Sequence, residues 1–322
     1  MIVNTVLLIA GLLMLYYGAE WLVKGSASAA IILGIKPVII GLTVIAVGTS
    51  TPELITCLIA AYRDSNDIAI GNIIGSNIAN IGLVLGFASL LAPIGGQWRK
   101  TTPGLSIMLL FTCLFIALCM DKSISRIDGV ILFVPFVTFL VYTTKLASNQ
   151  KKENLISNSP SDQILDKSYS AKNVIPLTLF GTLCLVTGAY LLVESATEMA
   201  RYFGVSELII GITIVAIGTS LPELATTIVA AFRGHAELAF GNIVGSNIFN
   251  IGMVLGITAM LKPLTADLSI IWIEVAALLF FTLAMAPMKW SGKIGRPLGT
   301  FLLVAYLGFI LWLGLLKAST GA

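Results

Sequence analysis

Shifted by 170 positions, this chain of 322 residues overlays on itself without a gap. GLTVIAVGTSTPE at 41–53 falls on GITIVAIGTSLPE at 211–223, and GNIIGSNIAN at 71–80 falls on GNIVGSNIFN at 241–250. Across 41–86 and 211–256, 27 of 46 positions are identical. The register persists outside that window: Gly18 meets Gly188, Gly34 meets Gly204, Pro93 meets Pro263, Arg126 meets Arg296 and Gly129 meets Gly299. Two copies of one unit must therefore build the fold, and any chemistry the motif carries is present twice.

The unit is apolar. Hydrophobic residues make up 57% of the chain, charged residues 11%, and mean hydropathy is +0.98, whereas soluble domains carry about a quarter charged residues. No single soluble core hides that much apolar surface, so lipid is the solvent for most of it. A bilayer-spanning helix needs roughly 20 apolar residues. Ten runs qualify: 3–23, 37–61, 69–92, 103–120, 127–146, 173–195, 206–231, 239–261, 269–287 and 297–316. The expected fold is all-α and integral to the membrane, with ten transmembrane helices in two inverted five-helix repeats. Inversion follows because five spans per half is an odd number, so the second half enters from the opposite side. The first repeat covers 1–147 and the second 173–322. The polar stretch 148–172, with Pro160, is a solvated linker, too short to hold a folded regulatory domain.

Lys and Arg set the orientation. With the N-terminus outside, inside loops hold 13 of the 19 basic residues, which predicts a cell-membrane protein with extracytoplasmic termini and a cytoplasmic linker. The first run lacks a basic leader and a small-residue cleavage site, so it reads as a retained span. Net charge is +3 with no basic face, which excludes nucleic acid as a partner. Cys57, Cys113, Cys119 and Cys184 sit in apolar runs and read as buried packing residues. His235, in the 232–238 connection, reads as a solvated loop residue, with a pH sensor as the alternative. The expected partners are the bilayer and the transported ions, with no obligate protein partner and no cofactor.

Glu53 and Glu223 carry the chemistry. Each lies near the middle of an apolar run that has no Lys or Arg to pair with it. A carboxylate there is costly unless paired or neutralised. A protonated glutamate bonded to a neighbouring helix would also fit, but the same acid recurs in both halves. Pro52 and Pro222 precede the glutamates and deprive the carbonyls of Gly48 and Gly218 of their helical donors. The turn formed by Ala46, Val47 and Gly48, and that of Ala216, Ile217 and Gly218, could then aim carbonyls into a cavity at the cation-favouring end of a half-helix. Thr49, Ser50, Thr219 and Ser220 add hydroxyls one turn earlier. Ser76 and Asn80 share one helix face, as do Ser246 and Asn250. Asn72, Asn77, Asn242 and Asn247 fit helix-to-helix bonding as well as ligation. The glycines at 71, 75, 82, 86, 241, 245, 252 and 256 read as close helix packing.

Two carboxylates among hydroxyl, amide and carbonyl oxygens make a hard-ligand site. It suits Ca²⁺ and Na⁺, and lacks the His and Cys that soft metals require. Two glutamates balance one Ca²⁺ or two Na⁺, and competition for one charge-balanced site is the basis of exchange. A Ca²⁺/H⁺ antiporter would use the same acids as proton carriers. A cation channel fits less well, because inverted repeats with broken helices serve alternating access. No HExxH and no Ser/His pairing points to an enzyme.

GTSTPE and GTSLPE, followed by GNIIGSNIAN and GNIVGSNIFN, closely resemble the two alpha repeats of the sodium/calcium exchanger family of the cation/calcium antiporter superfamily, in its short prokaryotic-type form. The resemblance implies ions bound among the second, third, seventh and eighth helices, with the first and sixth sliding across the core to switch access. It carries ligand roles onto Ala46, Thr49, Ser50, Glu53, Ser76 and Asn80, and onto Ala216, Thr219, Ser220, Glu223, Ser246 and Asn250. Several members of that family have Asp where this chain has Asn250, a departure that bears on the number of Na⁺ per Ca²⁺ and on K⁺ co-transport.

Overall fold

The computed structural model describes residues 2–95, 103–156, 171–204 and 216–320. The first half contains α1 (Ile2–Leu33), α2 (Pro37–Thr49), α3 (Thr51–Tyr62), α4 (Asn66–Leu91), α5 (Gly104–Leu118) and α6 (Arg126–Ile156). The second contains α7 (Ala171–Tyr202), the short turn α8 (Ala216–Gly218), α9 (Leu221–Phe232), α10 (Ala236–Leu261), α11 (Leu268–Ala284), α12 (Met288–Ser291) and α13 (Arg296–Thr320). Among the described residues seven helices are long and apolar enough to cross a membrane, and α2 with α3 makes an eighth if that pair is one span bent by 43°. α9 and α11 are shorter, and the first part of the expected run 206–231 lies outside the described residues.

Two helices outrun the expected spans. α1 continues to Leu33, ten residues beyond position 23, because GSASAA holds no helix breaker. It stops at Gly34, whose φ of +66° only glycine adopts freely, ahead of Lys36 held extended by Pro37. α6 continues through Ile156 into the expected linker, and residues 157–170 lie outside the described residues.

The 170-residue shift reappears in the backbone. Thr51–Tyr62 and Leu221–Phe232, and then Asn66–Ala79 and Ala236–Phe249, begin and end at equivalent positions. Two-residue strands β1 (Ile94–Gly95), β2 (Ser123–Ile124), β3 (Leu264–Thr265) and β4 (Lys293–Ile294) pair antiparallel across the halves, β1 with β4 and β2 with β3. Exchanging the halves turns Ile94↔Ile294 into Leu264↔Ile124, which is the pairing observed.

The helices interlock in the same way. α10 packs on α6, with Gly256 against Gly129 and Phe133, while α4 packs on α13, with Gly86 against Gly299 and Leu303. Each half thus covers the other's central helix and is not a separate globule. α1 and α7 run antiparallel along a glycine seam: a Cβ on Gly11 would stand 2.8 Å from the Gly188 carbonyl oxygen, and one on Gly18 2.9 Å from that of Gly181. Glycine there lets backbones touch. α4 and α10 form the centre, with 78% and 83% of their apolar windows buried, against 17–33% for α1, α5, α6, α7 and α13. Outward faces of the peripheral helices carry exposed Leu, Ile, Val and Phe, the surface that lipid covers.

The four cysteines are free thiols. Cys57, Cys119 and Cys184 are buried as expected, but Cys113 faces outward from α5, where an apolar side chain meets lipid instead of neighbouring helices.

Candidate functional site

The prolines act at the expected place. Pro52 and Pro222 stand in the first turn of α3 and α9, after residues that leave helical geometry: Ser50 at φ −86°, ψ 8° and Ser220 at φ −87°, ψ 4°. Proline tolerates that first-turn position because its missing amide is not needed there. The break turns Glu53 and Glu223 into first-turn residues of new helices, where free amides favour a carboxylate. The carbonyls are only partly released. Ala46 still accepts from the Ser50 amide at 3.0 Å, and Val47 accepts from the Thr51 hydroxyl at 2.8 Å. In the second half the Ser220 amide turns to Ile217 at 3.1 Å, leaving the Ala216 carbonyl without that partner.

Facing the breaks, α4 and α10 each contain a π-helical turn, Asn80–Leu85 and Asn250–Leu255, and α2 contains a third at Gly41–Ile45. A π turn inserts one extra residue into the helix and occurs often at functional sites. Nothing in the hydropathy pattern announces it.

Glu53, Glu223, Thr49, Ser50, Ser76, Asn80, Ser220, Ser246, Asn250 and Ala46 are all buried, and Thr219 is half-buried. Several meet across the halves. The Ser50 hydroxyl of the first half donates to Glu223 Oε1 at 3.1 Å, and the Ser246 hydroxyl donates to the same oxygen at 3.3 Å. Thr49 Oγ1 lies 3.4 Å from Ser246 Oγ, and its counterpart Thr219 Oγ1 lies 3.4 Å from Ser76 Oγ. The Asn250 amide donates to Asn77 Oδ1 at 3.2 Å. Among the described residues, both oxygens of Glu53, Oε2 of Glu223, the Ser220 hydroxyl, both side-chain atoms of Asn80 and Oδ1 of Asn250 are buried without a hydrogen-bond partner. Neither glutamate has a basic partner there.

Unmet buried polar atoms are expensive and therefore rare. Among the described residues 7 of the 15 such atoms belong to Glu53, Glu223, Ser220, Asn80 and Asn250, and six of the seven are oxygens, an acceptor-rich cluster short of positive charge. Its chemistry is that of a hard-cation site. Among the described residues no group of three or more His, Cys, Asp or Glu side chains converges. The acidic character rests on the two glutamates.

Sequence reasoning read Cys57 as packing and did not single out Thr227. Both are second-row members of the cluster: Asn72 Nδ2 donates to Cys57 Sγ at 3.3 Å and Asn242 Nδ2 donates to Thr227 Oγ1 at 3.1 Å. The available signal was spacing, since Cys57 and Thr227 follow Glu53 and Glu223 by four residues and so share their helix face.

A bundle of membrane helices with uncompensated carboxylates at its centre, built twice and joined across its halves, defines a multi-pass membrane transporter for cations. Comparison with known proteins makes the class specific. The chain matches the family described as sodium/calcium exchanger protein over residues 3–145 and again over 174–315, and it belongs to that family. It is 36% identical over 320 residues to the inner membrane protein YrbG of Escherichia coli (strain K12), covering 98% of this chain and 97% of that protein. It is 32% identical over 343 residues to the sodium/calcium exchanger MaX1 of Methanosarcina acetivorans, covering 96% and 97%. A solved structure of the sodium-calcium exchanger NCX_Mj, soaked with zero Na⁺ and Ca²⁺, superposes with a TM-score of 0.82 at 33% identity, covering 97% of this chain and 99% of that one. The activity is of the cation/calcium antiport class.

Proposed function

We propose that this protein exchanges Ca²⁺ for Na⁺ by alternating access at one site between its halves, with Glu53 and Glu223 as the charge-balancing ligands. The observation that carries the reading is the pair of buried glutamates at equivalent positions, among unmet oxygens and away from any basic side chain. Two carboxylates hold one Ca²⁺ or two Na⁺ at net zero charge, and a third positive charge at membrane depth would be costly. Hydroxyls of Thr49, Ser50, Ser76, Thr219, Ser220 and Ser246, amide oxygens of Asn80 and Asn250, and carbonyls of Ala46 and Ala216 complete the ligand set.

Ten spans in two inverted repeats, with the linker cytoplasmic and the termini outside, fit this mechanism. The antiparallel α1–α7 pair supports inversion, because equivalent helices run in opposite directions. A cavity of about 440 Å³ lies between α3 and α7, lined by Pro52, Ile55, Thr56, Tyr190, Val193 and Thr219. It touches the break in both halves, at Pro52 and at Thr219.

Purified protein in sealed vesicles tests the reading. Radiolabelled Ca²⁺ uptake should require an outward Na⁺ gradient and be lost in Glu53→Gln and Glu223→Gln. One observation favours a second reading: Glu53 is buried with no basic partner among the described residues, and a bound proton would neutralise its charge as a cation does. Uptake driven by an outward proton gradient, and indifferent to Na⁺, would establish Ca²⁺/H⁺ exchange instead.

A further inference from the structure

Asn72 and Asn242 each bridge the two halves, giving hydrogens to their own half and taking one from a threonine of the other. The Asn242 side chain is fully buried. Its Nδ2 donates to Thr227 Oγ1 of its own half at 3.1 Å, and its Oδ1 accepts from Thr49 Oγ1 of the other half at 3.1 Å. Asn72 Nδ2 donates within its own half to Cys57 Sγ at 3.3 Å and to the Glu53 backbone carbonyl at 3.4 Å, and its Oδ1 accepts from Thr219 Oγ1 of the other half at 3.4 Å. In each case the amide hydrogens are spent on the home half, and the amide oxygen faces the opposite threonine.

A cation needs lone pairs pointed at it and protons pointed away. A threonine hydroxyl has one proton and two lone pairs, so its usefulness as a ligand depends on where that proton goes. The amide oxygens of Asn242 and Asn72 beside Thr49 and Thr219 draw that proton out of the cluster, at Thr49 together with the Ile45 carbonyl at 3.2 Å. An amide turned the other way would donate into the same hydroxyl and consume a lone pair. What fixes the amide is its anchor: the Thr227 hydroxyl for Asn242, the Cys57 thiol and a backbone carbonyl for Asn72.

We infer that Asn72 and Asn242 are positioning residues, not ion ligands, and that their anchors Cys57 and Thr227 set ion affinity by holding the amide oxygens toward Thr219 and Thr49. The inference rests on the two-glutamate reading and deepens it. The halves are unequal here. A thiol is a weak acceptor, and the contacts around Asn72 are the longer ones, so the Thr219 side is the more loosely held.

The test removes anchors without touching the glutamates or the threonine ligands. Thr227→Val deletes, at nearly constant volume, the one side-chain acceptor that the Asn242 amide has among the described residues. Apparent Ca²⁺ affinity should fall roughly three- to tenfold, the effect of one neutral hydrogen bond, while the maximal exchange rate stays near wild type. Thr227→Ser should restore the affinity. Cys57→Val should cost less, because the Glu53 carbonyl still takes an Asn72 hydrogen, and Cys57→Thr should match or exceed wild-type affinity. Ca²⁺-induced thermal stabilisation in detergent should follow the same order without any transport step. Unchanged Ca²⁺ affinity in Thr227→Val would overturn the inference. So would equal loss of affinity and maximal rate that Thr227→Ser fails to rescue, the pattern of a packing defect. Glu223→Gln run beside them separates the two readings: if it still binds Ca²⁺ like wild type, the site is misplaced. If it loses binding while Thr227→Val keeps full affinity, only the positioning role fails.

Discussion

Glu53 and Glu223 occupy the same position of the same motif, in helices that begin and end at equivalent residues, yet the protein treats them differently. Glu223 Oε1 accepts hydroxyl protons from Ser50 and Ser246, whereas Glu53 feels only its own amide and a more distant Ser76 hydroxyl, with no hydrogen bond of ordinary geometry at either oxygen among the described residues. The asparagines a helix away repeat the pattern. Asn250 is bonded to Asn77, while the amide of its counterpart Asn80 is unmet at both atoms. Glu223 and Asn250 are each met at one side-chain atom of two, whereas Glu53 and Asn80 are unmet at both among the described residues. Duplication duplicates residues, but part of what satisfies them, Ser50 for Glu223 and Asn77 for Asn250, comes from the opposite half and need not match.

The largest expected effect comes from neutralising the acids. Either Glu→Gln variant should abolish Ca²⁺ transport, since an unbalanced charge at membrane depth costs on the order of 3 kcal/mol. Stability should divide them. Glu53→Gln removes an unpartnered carboxylate, so its melting temperature in Ca²⁺-free detergent should equal or exceed wild type. Glu223→Gln must keep its oxygen toward two hydroxyls and leave its amide nitrogen without an acceptor, so it should melt lower. Identical melting of the two variants would break the comparison.

The next test is at Asn250 and concerns charge. Asn250→Asp places a carboxylate oxygen where an amide nitrogen now donates to Asn77 Oδ1. Asn77 Nδ2 is itself unmet, so turning over that amide supplies a donor for the new acid. The fixed charge then rises from −2 to −3, and binding of a further Na⁺ should become easier. The Na⁺ dependence of Ca²⁺ release should steepen, or turn pH-sensitive if the acid is protonated at neutral pH. Hill slope and reversal potential in proteoliposomes at two pH values measure this. An active variant with neither change would show that position 250 plays no part in charge counting.

Much of this was legible in the sequence, and the rest was hidden for physical reasons. The repeat, the helix breaks at Pro52 and Pro222 and the oxygen-rich cluster around Glu53 and Glu223 follow from local rules about proline, hydropathy and ligand type. The π turns at Asn80 and Asn250 do not, because helical periodicity over so few residues hardly changes. The end of α1 was misplaced because Lys24 looked like a loop residue, although a single charge does not stop a helix. The difference between Glu53 and Glu223 is out of reach of sequence, since it arises partly from Ser50, 173 positions away, and partly from how closely Ser246 and its counterpart Ser76 approach their glutamates.

A smaller effect is expected at the edge of the bundle. Arg233 holds Glu20 of α1 through contacts of 2.8–3.0 Å, but the shift from Arg233 to Arg63 pairs Glu20 with Tyr190, so the first half lacks an equivalent ion pair. Arg233 is exposed, so the pair is weak and weakens further in salt. Arg233→Gln should therefore lower the melting temperature slightly at low ionic strength and not at high, while Arg63→Gln should do nothing at either. Equal shifts in both variants would deny that the latch belongs to one half.

The smallest effect concerns His235, whose counterpart in the first half is Ser65. Partial burial, and then the neighbouring Arg233 charge, hold its pKa below the ordinary 6.5. The folded protein therefore binds this proton less readily than the unfolded chain does. The stability it contributes is present above the unfolded value and is lost as pH falls through the folded one. Asp267 also has a lowered pKa, from its bonds to Ser269 and then Lys122, but an aspartate starting from 3.8 loses its contribution only in stronger acid. Between about pH 5 and 7 the histidine thus acts nearly alone among these loop groups. His235→Ser imports the first half's residue. Its melting temperature should match wild type at pH 8 and exceed it at pH 5.5, with Ca²⁺ exchange at pH 8 unchanged. If the difference between variant and wild type is the same at both pH values, His235 contributes only packing, and this connection differs from its counterpart in shape and not in charge.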